Sequence, residues 1–123
     1  MPTKDEALDL FDRRRRAWLA EDVDGYLALW HEDMTIGTPT REVVGRDAYA
    51  ELVRTSFASM APVAFDFHHV FVDGDLVAAE WTIRARHRAT DAPIEWGGMS
   101  ICAFEGERIK WWREYWDPGA LVP

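Results

Sequence analysis

Near its C-terminus the chain reads Trp112-Arg113-Glu114-Tyr115-Trp116-Asp117, which sets a carboxylate between two indoles at a spacing of two. Residues two apart on a strand share a face. Trp112, Glu114 and Trp116 therefore point one way, and Ile109, Trp111, Arg113 and Tyr115 point the other. A carboxyl group on a half-buried apolar face is costly unless it is paired or functional. Desolvation favours the neutral form of such a group, and that tuning suits a general acid or base near neutral pH. A buried ion pair is the structural alternative, and it would hold the carboxylate charged. Both readings of Glu114 stand.

Other residues could do chemistry. In the run Arg13 to Arg16, the helical wheel leaves Arg13 and Arg16 outside the apolar arc. Arg14 and Arg15 fall inside it, beside Phe11 and Trp18. A long basic side chain there can snorkel to water, the simpler reading for Arg15. Arg14 can instead turn inward and pair with Glu114 or with a ligand carboxylate. His68 and His69 are adjacent, so only one can face inward on a regular strand. His69 shares the parity of Phe65, Phe67 and Phe71 and is the expected one. His87 shares the inward parity of Trp81 and Ile83 near a strand end, and His31 ends a helix. No pair of histidines has metal-ligand spacing. Ser100 and Cys102 share an inward parity with Gly98, but no activating base or triad accompanies them. No glycine-rich phosphate loop or haem motif is present, so no cofactor is expected.

These residues must be positioned by helices and strands. Thr3 and Glu6 make a capping-box pattern, and a helix is predicted over Thr3 to Glu21 with Leu8, Phe11, Trp18 and Leu19 on its apolar side. A second helix is predicted over Asp22 to Trp30, a short strand over Met34 to Thr38, and a third helix from Gly45 to Met60. Its apolar face holds Tyr49, Leu52, Val53, Phe57 and Met60, and Pro62 ends it. Four long strands follow: Val63 to Val72, Leu76 to Arg88, Ile94 to Glu105, and Arg108 to Trp116. Asp73-Gly74 is a hairpin signal between the first two. Gly97 and Gly98 suggest a bulge or a close backbone approach. Helices followed by a meander of strands make an α+β fold with segregated layers.

Bulk properties narrow the functions. A single domain spans 1–123. The formal net charge of -8 argues against a nucleic-acid partner and an anionic membrane surface. Seven tryptophans supply core and cavity walls. One cysteine forms no intrachain disulfide. With no apolar signal segment or membrane-length run, a cytoplasmic protein is expected.

Three stretches carry a resemblance. They are Trp18-Leu19-Ala20-Glu21-Asp22-Val23-Asp24-Gly25-Tyr26-Leu27-Ala28-Leu29-Trp30, then Glu32-Asp33 with Val44-Gly45-Arg46-Asp47-Ala48, then Gly106-Glu107-Arg108-Ile109 running into Trp112-Arg113-Glu114-Tyr115-Trp116-Asp117. With the order of elements, the chain resembles the NTF2-like superfamily, in particular its SnoaL-like group. That family includes ketosteroid isomerases, polyketide cyclases, limonene-epoxide hydrolases, dehydratases and non-catalytic members. The resemblance implies a cone: three N-terminal helices packed on a strongly curved, mostly antiparallel sheet that encloses a pocket. It also implies a homodimer through the sheet's outer face, where Trp111, Arg113 and Tyr115 lie.

Family positions can be read one at a time. The isomerase base falls at Thr38, the oxyanion-hole acid at or beside Ser100, and the helix-1 tyrosine near Arg14. The epoxide-hydrolase arginine and aspartate fall at Trp81 and Ile83, and the water-positioning tyrosine and asparagine near Ile36 and Thr38. Both machineries are missing. One position survives, the carboxylate after an arginine on the last strand, which is Glu114. The expectation is a cofactor-independent enzyme of proton transfer (isomerase, cyclase or dehydratase type) with Glu114 as acid/base. Its partner would be a small or medium apolar carbonyl or hydroxyl compound. Trp18, Trp81, Trp96, Trp112 and Trp116 would shape the pocket, with Ile36, Thr38, Phe57 and Ile83 in its wall. Arg14, Ser100 or His69 would orient a polar group. The alternatives are a non-catalytic binding protein for a small hydrophobic ligand and a dimeric scaffold domain.

Overall fold

The structure is a computed structural model that describes residues 1–121. Its elements run α1 (Lys4–Leu19), α2 (Val23–Leu27), β1 (Trp30–Gly37), β2 (Glu42–Val44), α3 (Arg46–Ser59), β3 (Met60–Asp73), β4 (Leu76–His87), β5 (Pro93–Glu105), β6 (Arg108–Trp116) and a 3-10 turn at Pro118–Leu121. The strands form one six-stranded sheet in the order β2-β1-β6-β5-β4-β3. All neighbours are antiparallel except β1 and β6, which run parallel. Among the described residues, no helix is long and apolar enough to cross a membrane.

The predicted capping box starts α1, with Thr3 Oγ1 accepting from the Glu6 amide at 3.1 Å and Glu6 accepting from the Thr3 amide. The buried face of α1 is Ala7, Leu10, Phe11 and Arg14, an i, i+3, i+4, i+7 stripe. This corrects the predicted face: Leu8 is exposed, and Ala7 and Leu10 are sealed instead. The second helix is also shorter than predicted. It stops at Leu27, and Trp30 opens β1 with its indole fully buried. The three-residue β2 was not foreseen; it is too short to show alternation.

Bulges bend the sheet and break strict alternation. In β3, Phe67 pairs with Trp81 and His69 with Glu80, so His68 is the extra residue. Beyond the bulge the inward set changes from Phe65 and Phe67 to Val70 and Val72, and Phe71 is left 61% exposed. In β6, Trp111 pairs with Ala103 and Ile109 with Phe104, which skips Lys110. Ile109 is thereby buried rather than on the outer face with Trp111.

The core lies between the helices and the concave side of the sheet. Phe11 stacks on Phe67 at 4.8 Å between centroids and meets Trp112 edge-on at 5.8 Å. Trp30 meets Tyr49 at 4.9 Å. Each such pair adds about 0.5–1.5 kcal/mol beyond area burial. Gly98 is needed where β4, β5 and β6 meet, because a Cβ there would lie 2.7 Å from the Tyr115 carbonyl and 3.0 Å from the Trp81 ring. Gly97 and Gly98 thus mark a close approach rather than a bulge.

Candidate active site

The last strand places the acid. Trp112, Glu114 and Trp116 alternate onto the concave face of β6, as their spacing requires. Trp112 Nε1 donates to Glu114 Oε2 at 3.0 Å, and Trp116 Nε1 donates to Oε1 at 3.1 Å. Each carboxylate oxygen thus accepts one indole N–H and keeps a further lone pair. Donors to both oxygens suit an ionised carboxylate. The setting between two indoles is therefore less apolar than their ring surfaces suggest.

The first helix places a cation beside it. Arg14 sits on the buried stripe of α1 and is only 4% exposed. Its guanidinium carbon lies 4.1 Å from the Trp112 ring centroid, 5.2 Å from Trp30, 5.5 Å from Tyr26 and 5.7 Å from Phe65. A desolvated cation over an aromatic face gains about 2 kcal/mol or more. Arg14 and Glu114 form no salt bridge; they touch the same indole, one on its face and one at its N–H. A cation over the ring withdraws electron density and strengthens the N–H donor. Burial works against the Arg14 charge, but Tyr26, Tyr49 and Glu114 outweigh it and hold its pKa above the usual value. Tyr26 and Tyr49 share a hydroxyl–hydroxyl hydrogen bond of 2.7 Å. Desolvation, with Tyr26 beside it, pushes the Tyr49 phenol well above its ordinary range.

Arg14 and Glu114 both border a cavity of about 240 Å³. Among the residues predicted for a pocket, Trp18, Ile36, Thr38, Phe57, Ile83, Trp96 and Trp116 also line it. The Thr38 hydroxyl accepts from the Arg41 amide at 3.2 Å and the Thr40 amide at 3.3 Å, folding that turn over the cavity rim. A second hollow, of about 320 Å³, lies beside it and shares Thr38, Glu114 and Trp116 among its lining residues.

Four predicted residues do not line the cavity. His69 points away: the bulge at His68 turns both histidines to the outer face, where His68 meets Thr82 at 2.7 Å and His69 Nδ1 meets Glu80 at 2.8 Å. Trp81 lies behind the wall and donates to Ser100 Oγ at 2.7 Å, so each satisfies the other in the core. Trp112 is 1% exposed and reaches the site only through Glu114 and Arg14. Burial pushes the Cys102 thiol up to about 12.

Sequence reasoning missed Tyr26, Tyr49, Leu52, Met60 and Phe65 as lining residues, and with them Thr40, Arg41, Val53 and Ser56. Tyr49, Leu52, Val53 and Met60 were placed on the apolar face of the predicted third helix, and the available signal was their continuation of the Phe57 stripe; the helix ends at Ser59, and Met60 opens β3. Among the described residues, no three His, Cys, Asp or Glu side chains gather as metal ligands would.

Comparison with known proteins agrees with the architecture. A candidate isomerase from Bacillus subtilis superposes with a TM-score of 0.88 at 19% identity, over 98% of this chain and 93% of that one. An LEH-like epoxide hydrolase from M. tuberculosis gives 0.81 at 21% identity, over 98% and 89%. A Catenulispora acidiphila protein with a ketosteroid isomerase-like fold, solved in complex with trimethylamine, gives 0.81 at 16%, over 92% and 88%. At these identities the likeness shows the NTF2-like fold alone. No curated protein sequence matches the chain. The SnoaL-like domain profile matches residues 11–112, and the chain belongs to that family.

Proposed function

We propose that the protein is a cofactor-independent enzyme that moves a proton on a small, largely apolar carbonyl or hydroxyl compound, with Glu114 as the general acid/base. One observation carries this reading: the Glu114 carboxylate is fixed by two indole N–H donors on the wall of a cavity that also holds a buried cation. Fixing both oxygens orients the remaining lone pairs at no cost during reaction. The cavity volume suits a compact ligand, and Trp18, Phe57, Ile83 and Trp96 give it apolar walls. The protein would act in the cytoplasm as a homodimer, a second copy covering Tyr115 and Met99 on the outer sheet face, where Arg113 stacks on Trp111 at 4.5 Å.

The competing reading is a binding protein for a small hydrophobic ligand. It is favoured by the indole bonds, which already occupy part of Glu114. The two readings separate on the ligand that survives native purification. Incubated with the wild type in D₂O, it should take up deuterium or be converted, and Glu114→Gln should slow this at least about 100-fold while still binding it. Recovery of the ligand unlabelled and unaltered from the wild type would support binding without catalysis.

A further inference from the structure

Two parts of the chain far apart in sequence are strapped together at one end of the sheet. Strand register brings Met60 beside His87, Arg86 beside Pro93, and Gly98 beside Trp116 at that end. Met60, Trp96 and Trp116 line the cavity from there. Trp18 and Phe57, in the last turns of α1 and α3, line its helical side, and their ring centroids lie 6.2 Å apart. The same two residues are also tied through their backbones. The Glu21 amide donates to the Trp18 carbonyl at 3.1 Å. Arg88, just past β4, donates from Nε to the Phe57 carbonyl at 2.6 Å and from its amide to the Ser59 carbonyl at 3.0 Å. Its Nη2 pairs with Glu21. The path Trp18, Glu21, Arg88, Phe57 thus straps the seam between the two rings.

The backbone of Glu21 shows that its side chain matters. Its φ of 55° lies in the left-handed region. It ends α1 in a Schellman motif, completed by the Asp22 amide donating to the Ala17 carbonyl at 2.9 Å. Glycine takes this position freely, whereas a Cβ crowds the backbone there. A glutamate is explained by what it reaches, and it reaches Arg88. The bonds from Arg88 to α3 have a separate role. They satisfy two carbonyls that a helix end leaves unpaired and set a cation at the negative end of the dipole. The end of α3 therefore stays capped when Glu21 lets go. An ion pair whose side chains are 40% and 38% exposed is weak, and its opening lets the Glu21 backbone relax.

We propose that the Glu21–Arg88 pair is a latch over the seam between Trp18 and Phe57, and that a ligand enters and leaves the cavity while the pair is open. This rests on the cavity being a ligand site, which both readings above require. The turn at the other rim is fastened within itself: the Thr38 amide donates to the Arg41 carbonyl at 2.8 Å, and the Thr38 hydroxyl accepts from the Thr40 and Arg41 amides. The strap over the seam instead closes through two side chains, from the corner after α1 and the end of β4. Charge closes that latch, so salt should loosen it.

The test measures access to the cavity without a ligand. Val53 lines the cavity and is 6% exposed, so Val53→Cys places a thiol inside it; Ile83→Cys serves if that variant does not fold. Methyl methanethiolsulfonate, small and uncharged, labels the thiol, and mass spectrometry follows the rate. Cys102, sealed in the core, reports any general loosening in the same sample. Adding Glu21→Gln should speed labelling at position 53 by about two- to fivefold, the range of a half-exposed ion pair, and leave Cys102 unchanged. Sodium chloride at about 1 M should speed it while Glu21 is present and not after Glu21→Gln. Glu21→Gly should label faster yet unfold at no lower denaturant concentration, since glycine suits the left-handed backbone. A merely structural pair would move stability and labelling together. Labelling at position 53 that ignores Glu21, or that rises only in step with Cys102, would overturn the proposal. Failure of the latch leaves the proposed activity standing; faster labelling beside a ligand that stays unaltered in D₂O keeps the latch and removes the activity.

Discussion

Two places in this sheet use an indole N–H to hold a side-chain oxygen. At the first, Trp81 donates to Ser100 in the sealed core. Both partners are neutral and almost fully buried, and each satisfies the other. At the second, Trp112 and Trp116 donate to Glu114, which is partly buried, charged and open to a cavity shared with Arg14. A satisfied neutral pair stabilises the fold and leaves nothing for a ligand. A charged acceptor with spare lone pairs, beside a cation it does not touch, leaves interactions for a ligand to complete. The difference lies in what each indole holds and what stands next to it, since the indoles themselves are alike.

Substitutions can break or sharpen that contrast. The largest stability effect belongs to the sealed pair. Trp81→Ala should cost about 3–5 kcal/mol in denaturant unfolding, because it empties the space beneath Gly98. Ser100→Ala leaves the indole N–H without its acceptor and should cost about 1–3 kcal/mol. It should leave the activity proposed for Glu114 within about twofold; a large loss of rate with normal stability would place Ser100 in the site after all.

The smallest effect is on pH dependence. The Cys102 thiol stays protonated in the folded protein up to about 12, against an ordinary value of 9.0. The unfolded chain therefore loses this proton first, and stability falls as pH rises between those values. Cys102→Ala should flatten the alkaline decline in unfolding free energy, and an unchanged slope would remove the thiol as its source.

Much of the architecture is legible in the residues. The alternation of β4, the capping box at Thr3 and the Asp73-Gly74 hairpin each follow from local chemistry, and the structure has them. Parity fails where an extra residue enters a strand. His68 and Lys110 sit at such bulges, and nothing in their identity announces one. That is why His69 and Ile109 were given the wrong faces. The inward set of β6 beyond its bulge keeps strict alternation, so the shared face of Trp112, Glu114 and Trp116 could be read directly. What could not be read is the donor role of the indoles toward the carboxylate, since spacing gives a face but not a side-chain rotamer. Arg14 shows the same limit: the wheel put it inside the apolar arc, and only packing on Trp112 and Trp30 shows how a cation is kept there.

The most direct test is deuterium uptake next to the carbonyl of 2-tetralone, followed by NMR for the wild type and Glu114→Gln at matched stability. The account predicts uptake by the wild type above the buffer rate and a fall of at least about 100-fold in the variant. Uptake equal to buffer in the wild type, or equal in the two proteins, would contradict it.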